Sequence, residues 1–312
     1  MKDKKLLYEL DINSRQSNSE IGKKIGMNKN TVNYKIKKLE QDKVILGYYP
    51  VIDNSKLGYF SFRGYLKFFN TTSQQEEEII DWLKKHPRVG IVARIETIYD
   101  FVFFIWVKNI YEFKEFWFEF KKQFRKYFWN ERIDVFSGVY SFKRKYLLKE
   151  NKIESYEFIG EKKPVECNEM DLKIIKMLTK NARMPLIEIS EKLKCPPRTT
   201  AFRIKRLEKK KVIQSYRVNI NLEKIGYEYY KINIIIDDFE NYNKLFNYSN
   251  NHPNIIYYDK TLSDLDFEID VEVENREKLL KLLAEIKSKF KIRNIEILPF
   301  KEYSKLELMP EK

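Results

Sequence analysis

Between Lys4 and Gln41 apolar side chains recur every three or four positions, with short polar breaks between runs. That period marks helices with one buried face. It predicts a first helix at Lys4–Leu10, a second at Ser17–Ile25 and a third at Asn28–Gln41. Gly26-Met27 separates the second from the third, and Asn28 is a suitable N-cap. In the third helix Val32, Ile36 and Leu39 share one arc; Asn30, Asn33, Tyr34, Lys37, Lys38 and Gln41 occupy the opposite one. VILGYYPVID then reads as a short β wing. Further on, Phe60–Phe69, Val89–Ile95, Phe101–Val107 and Ile133–Phe142 are strand-like, with helices at Gln75–His86 and Tyr111–Tyr127. That β-α-β-β-α-β order predicts a ferredoxin-like antiparallel sheet with two helices on one face.

The whole pattern then repeats. Residues 10–59 align without a gap with 178–227, and 19 of the 50 pairs are identical. Among them are Asn13/Asn181, Arg15/Arg183, Thr31/Thr199, Leu39/Leu207, Tyr48/Tyr216 and Gly58-Tyr59/Gly226-Tyr227. His86-Pro87/His252-Pro253 and Asp100-Phe101/Asp266-Phe267 carry the duplication through the sheet domain. Copy two is expected to place helices at Met170–Leu178, Leu186–Leu193 and Pro196–Lys209, a wing at VIQSYRVNIN, and sheet-domain strands beginning with Tyr229–Ile236 and ending with Ile295–Phe300. The fold class is α+β, in two repeats of a winged helix-turn-helix followed by a ferredoxin-like domain. The expected divisions are 1–52, 59–145, a polar linker 146–167, 168–220 and 227–308.

Charge follows the repeat. The net charge is +14, and residues 1–50 and 169–218 contribute +5 and +9, so everything else sums to zero. An excess confined to the helical segments is an electrostatic footprint for nucleic acid. The third helix suits the major groove, with its first turns presenting donors and acceptors to base edges and its lysines facing phosphates. The candidate DNA-contacting residues are Lys29, Asn30, Thr31, Asn33, Tyr34, Lys35, Lys37 and Lys38 in copy one. In copy two they are Arg198, Thr199, Thr200, Ala201, Phe202, Arg203, Lys205 and Arg206. A basic helix face is also found on protein-interaction modules.

Other chemistry is sparse. Cys167 and Cys195 have no metal-ligand spacing and read as reduced thiols of a cytoplasmic protein. No apolar run reaches membrane-spanning length and no signal-peptide core is present, so no membrane partner is expected. No cofactor or metal is expected. The histidines, His86 and His252, each precede proline at a helix end and read as caps rather than proton-transfer groups.

The ordered residues Asn-x-Arg, Thr31-x4-Ile36-x2-Leu39-Glu40 and Thr199-x4-Ile204-x2-Leu207-Glu208, then Val-Ile, the wing tyrosine and Gly-Tyr, resemble the Lrp/AsnC family of transcription factors. The resemblance covers nearly the whole chain outside the linker. It implies a DNA-binding domain joined to a small-molecule-sensing (RAM-type) domain, paired through the sheets. Three departures stand out. Two units are fused, and Lys43 and Lys211 replace the glycine usual after the recognition helix, so a less sharp helix end is expected. Thr97 before Asp100 and Ser263 before Asp266 stand where the family carries a glycine in its effector turn, which weakens the expectation of an amino-acid effector there.

Fusion would make one chain a pseudo-dimer reading an imperfect palindrome through two unlike recognition helices. The competing arrangement pairs like sheets between chains in a homodimer. The aromatic run of copy one, Phe101 to Trp129, is expected in core or interface, with helix 113–124 covered by the other half or by another chain. A sirohaem-decarboxylase-like enzyme of the same architecture, and a winged-helix scaffold binding a protein of transcription, are the alternatives.

Overall fold

Local signals start many of the helices in the computed structural model, which describes residues 2–95, 97–148, 156–160 and 163–310. The first three helices are α1 (Lys2–Ile12), α2 (Asn18–Ile25) and α3 (Lys29–Gln41). Ser17 and Glu20 form a reciprocal capping box on α2, and Asn28 caps α3 by accepting from the Thr31 N–H at 2.8 Å. Gly26 closes α2 in the left-handed conformation (φ 68°) that its missing side chain permits. Strand β1 (Ile45–Ile52) follows. The first sheet domain contributes β2 (Phe60–Phe68), α4 (Ser73–Lys85), β3 (Val89–Ile95), β4 (Phe101–Val107), α5 (Ile110–Phe124) and β5 (Phe128–Ser141).

The segment expected as a linker contains a short strand, β6 (Glu157–Gly160), paired with the end of β5. Residues 149–155 and 161–162 of that segment lie outside the described residues. Copy two supplies α6 (Glu169–Lys180), α7 (Leu186–Leu193), α8 (Pro197–Lys209), β7 (Ile213–Ile220), β8 (Glu228–Ile236), α9 (Tyr242–Asn251), β9 (Ile255–Leu262), β10 (Phe267–Val273), α10 (Arg276–Lys289) and β11 (Ile292–Leu306).

Both recognition-type helices end sharply, which corrects the expectation drawn from Lys43 and Lys211. Each lysine adopts the glycine-like conformation itself, at φ 57° and 58°. The Lys43 and Val44 N–H groups then donate to the Glu40 and Leu39 carbonyls, and Lys211 and Val212 do the same to Glu208 and Leu207.

Each sheet domain has the strand order expected of a ferredoxin-like unit: β5-β2-β4-β3 in copy one and β11-β8-β10-β9 in copy two. The units are not separate. The fourth strands are long because each serves both copies. β5 pairs with β2 through its first half and with β9 through its second, and β11 likewise pairs with β8 and then β3. The result is a closed eight-stranded antiparallel barrel with no exposed edge among its ring strands. The four helices α4, α5, α9 and α10 cover the outside, over cores such as Phe62, Phe103, Phe116 and Phe120 in copy one and Ile234, Phe267, Ile269 and Leu282 in copy two.

The inside of the barrel is charged. Arg63 on β2 is fully buried and bonds to Asp134, Asp259 and Glu268. Lys231, which holds the equivalent place on β8, contacts Asp259 at 2.6 Å and Asp270 at 2.8 Å. Arg132 bridges Asp134 at 3.0 Å and Glu296 at 3.7 Å. Burial is the largest influence on Asp259 and pushes its carboxyl up to about 6, against the nearby lysine and arginine.

The aromatic run of copy one is mainly core of its own unit: Phe113, Phe116 and Phe120 are buried, and Trp82 of α4 packs on Phe116, Phe120 and Phe124. Among the described residues the other half of the chain leaves Phe118 of α5 66% exposed, and Trp129 at the start of β5 is 71% exposed.

Because a left-handed lysine costs about 1–2 kcal/mol while glycine carries extra unfolded-state entropy, Lys43→Gly and Lys211→Gly should each stabilise the fold by about 0.5–1 kcal/mol. Urea denaturation checks this, and a loss of stability in both variants would contradict the conformation assigned here.

Candidate nucleic-acid interface

The third helix of each copy packs its apolar arc inward and turns its polar arc to solvent. Val32 and Ile36 in α3, and Ile204 and Leu207 in α8, are buried. On the outer arc of α3, Lys29, Asn30, Asn33, Tyr34, Lys37 and Lys38 are exposed; on α8, Arg198, Phe202 and Lys205 are exposed. Tyr34 and Phe202, at equivalent positions, project with 65% and 68% of their surface free.

Other residues from the sequence reading sit elsewhere. Thr200 is fully buried, with its hydroxyl against Ser190 Oγ and Cys195 Sγ at 3.1 Å, and so lies off the exposed face. Lys35 is drawn to Asp3 of α1 at 2.6 Å. Arg203 and Arg206 turn toward Asp171 of α6, at 3.0 and 3.6 Å. Thr31, Thr199 and Ala201 are half-buried in the first turns of their helices. The exposed polar face is therefore narrower than the list of sixteen residues, and each helix keeps exposed basic side chains on it, Lys29, Lys37 and Lys38 in α3 and Arg198, Lys205 and Lys209 in α8.

Each expected β wing is a single strand, and β1 and β7 pair with each other antiparallel from Ile45↔Ile220 to Ile52↔Ile213. Each strand takes its missing partner from the other copy. The two helical units share one core, in which Leu6, Leu10 and Ile21 join Ile174, Leu178 and Ile189.

Reciprocal bonds hold this junction. Arg15 donates to the Ala182 and Met184 carbonyls and lies over the Tyr216 ring. Arg183 donates to the Ser14 carbonyl at 2.6 Å and lies over Tyr48. Tyr48 and Tyr216 in turn donate to Glu40 and Glu208 of the recognition-type helices, at 2.6 and 2.7 Å. The residues identical between the copies thus form much of the contact between them, a role that the repeat alone did not assign.

Asp11 is the pin between this head and the barrel. It is fully buried, and it bonds to Arg217 of β7 at 2.8 Å and to Arg144, just beyond β5, at 2.7 Å. Arg144 also reaches Glu272 of β10 at 2.8 Å. Burial is the largest influence on Asp11 and acts to raise its pKa. The Arg217 and Arg144 guanidiniums overcome it and bring the carboxyl down to about 2.

The residues expected in an effector turn are engaged locally. Asp100 pairs with Lys67 at 2.6 Å and accepts from the Phe68 N–H, and Asp266 accepts from the Ile236 N–H at 2.9 Å. Ser263 Oγ faces Thr261 Oγ1 at 3.0 Å, and Thr97 Oγ1 is buried without a hydrogen-bond partner. Asp100 borders a small cavity of about 360 Å³ with Arg94 and Glu76; Thr97 does not line it.

Both histidines sit where helices end, as C-caps of α4 and α9. Their Nδ1 atoms accept from the Arg88 and Asn254 N–H groups, and burial brings each down to about 4, so both are neutral at physiological pH.

A family model described as winged helix-turn-helix DNA-binding matches residues 2–45 and 168–214. An uncharacterized HTH-type transcriptional regulator of Pyrococcus horikoshii is 32% identical over 148 residues, which is 44% of this chain and 90% of that protein. A second, from Pyrococcus abyssi, is 33% identical over 42% of this chain and 80% of its own length. The chain belongs to the Lrp/AsnC family of HTH-type transcriptional regulators, in a tandemly duplicated form. The crystal structure of the siroheme decarboxylase NirDL superposes on 99% of this chain and 94% of its own, with a TM-score of 0.65 and 15% identity, a likeness of fold.

Asp11→Asn should cost about 3–5 kcal/mol at pH 7, because it leaves two buried guanidiniums short of their counter-charge. The Asp11 carboxyl is depressed in the folded state, so its stabilisation is complete above about pH 4 and disappears as the pH falls toward 2. Urea denaturation of wild type and variant across that window should show the difference shrinking by about 2 kcal/mol. A difference that stays constant would refute the assignment.

Proposed function

We propose that the chain is a sequence-specific DNA-binding transcriptional regulator that acts as a fused pseudo-dimer on an imperfect palindrome. The observation that carries this reading is the clamp between the two heads. The exposed faces of α3 and α8 flank a β1/β7 ribbon held by reciprocal Arg15 and Arg183 bonds, so one chain presents two recognition helices in a set relation. Paired helices of this kind read half-sites about one DNA turn, roughly 34 Å, apart.

The two faces are not equivalent. Asn30 and Asn33 of α3 suit adenine, whereas Arg198 of α8 suits guanine. Lys29, Lys37, Lys38 and Lys205 neutralise phosphates. The barrel supports intramolecular pairing over a homodimer. Arg63 and Arg132 of copy one meet Asp259, Glu268 and Glu296 of copy two. Pairing like with like would bring these arginines together and leave the acids of copy two with Lys231 as their inner cation among the described residues. The regulator acts where its operator is, in the cytoplasm, and its sheet domains serve as a sensing module.

We read the chain as a regulator and not as a decarboxylase because its two histidines are neutral caps turned into aromatic contacts with Trp82 and Tyr248. Selection of bound DNA from a random pool, followed by footprinting, should return an asymmetric two-part motif. Arg198→Ala should relax one half-site by about 1–3 kcal/mol and leave the other unchanged; equal loss in both halves would overturn the asymmetric reading. Replacing Lys37, Lys38 and Lys205 with alanine should lower the log–log salt slope by about one per lysine.

A further inference from the structure

A cavity of about 1170 Å³ lies between the β1/β7 ribbon and the mouth of the barrel, larger than an ordinary small-molecule pocket of roughly 300–1,000 Å³. It is distinct from the turn around Asp100. Leu46, Phe60, Leu262, Tyr303 and Leu306 line it, and these large side chains are between 43% and 70% exposed although they sit between the head and the barrel. Apolar surface is gathered on this wall instead of being buried, and such a surface marks a binding site.

The divergence between the copies shapes its two walls. At equivalent positions β4 offers Phe104 and Trp106 where β10 offers Asp270 and Glu272, and all four line the cavity. Trp106 lies across Gly90, where a Cβ would come within 1.8 Å of the ring, so the backbone is shaped around that indole. The carboxylates are already engaged, Asp270 by Lys231 and Glu272 by Arg144. At the rim, Lys163 and Lys180 are exposed and have no ion pair among the described residues. Asn54, only 6% exposed, keeps its Oδ1 without a hydrogen-bond partner on the same wall. Among the described residues the unmet chemistry is thus an aromatic wall, two cations without an ion pair and one buried polar atom.

We propose that this cavity binds a large planar aromatic molecule with an acidic edge, its rings against Phe104, Trp106 and Phe136 and its anionic group toward Lys163 and Lys180. The site deepens the proposed regulatory function by identifying where an effector acts. It touches both Tyr49 of the ribbon and Tyr257 of the barrel, whose hydroxyls lie 3.5 Å apart, so an occupant contacts the head and the sensing barrel together.

The test is a fluorescence titration of the full chain with 1-anilinonaphthalene-8-sulfonate, and with N-phenyl-1-naphthylamine, which has the same rings and no sulfonate. Saturable binding of the sulfonate is expected. Leu262→Trp and Leu306→Trp fill the space from already exposed side chains, so they should keep the wild-type melting temperature and weaken binding at least tenfold. Phe118→Ser, outside the cavity, should leave it within twofold. Lys163→Glu with Lys180→Glu should weaken the sulfonate at least fivefold and the neutral amine less than twofold. Binding that survives both tryptophan variants but falls with Phe118→Ser would overturn the site. Equal effects of the lysine changes on both dyes would overturn the acidic edge, and palmitate binding tighter than either dye would overturn the planar aromatic class. The titration contains no DNA, so this proposal and the DNA-binding reading fail separately.

Discussion

Charge complementarity between two unlike halves is the constraint on which the rest of the molecule depends. A barrel closed from two sheets must fill its interior, and here much of the filling is ionic. Arg63 from copy one has Asp134 of its own copy and Asp259 and Glu268 of the other within bonding distance. Arg144 extends the same logic to Glu272 and, through Asp11, to Arg217 of the second head. Removing charges of this kind one at a time is expensive because the remaining partner stays buried without compensation. The halves therefore require each other in a fixed register.

The head follows a different rule. There the contact is nearly symmetric and is made by residues that the copies share, Arg15 and Arg183, Tyr48 and Tyr216, Glu40 and Glu208. In the barrel interior, in contrast, the third strands of the two copies differ. β4 reads FVFFIWV and β10 reads FEIDVEV, so one inner face is aromatic and the other acidic. Symmetry is kept where two recognition helices must be presented alike, and it is abandoned where one chain must close upon itself and line a cavity.

Much of the fold was legible in the sequence because each element carries its own signal. The 3.6-residue period, the Ser17–Glu20 capping box and the Asn28 cap are local, and the helices and strands lie close to where those signals place them. Pairing between copies is not local. VILGYYPVID has the alternation of a strand, but nothing in it says whether its partner is a hairpin mate or the equivalent strand 168 positions away. The strand β10 misleads for a related reason. Its acids alternate with apolar residues as in a strand with one face in water, yet Glu268, Asp270 and Glu272 face the barrel interior. Likewise Thr200 shares the recognition helix with Arg198 and Phe202, and only the packing of α7 against α8 turns it inward.

Why the interior is ionic rather than apolar follows from what the duplication had to avoid. A wholly apolar inner face would be stable, and well-packed hydrophobic replacements of buried ion pairs are often as stable as the pairs themselves. It would also be indifferent to partner, since either sheet could close on a second copy of itself. Two arginines of copy one, Arg63 and Arg132, take acids of copy two as partners, and this unequal exchange gives little net stability but disfavours self-pairing of either sheet. The cost of desolvating Arg63 and Asp259 is thus linked to a gain in pairing specificity. The same asymmetry sets Phe104 and Trp106 of copy one and Asp270 and Glu272 of copy two on the walls of one cavity.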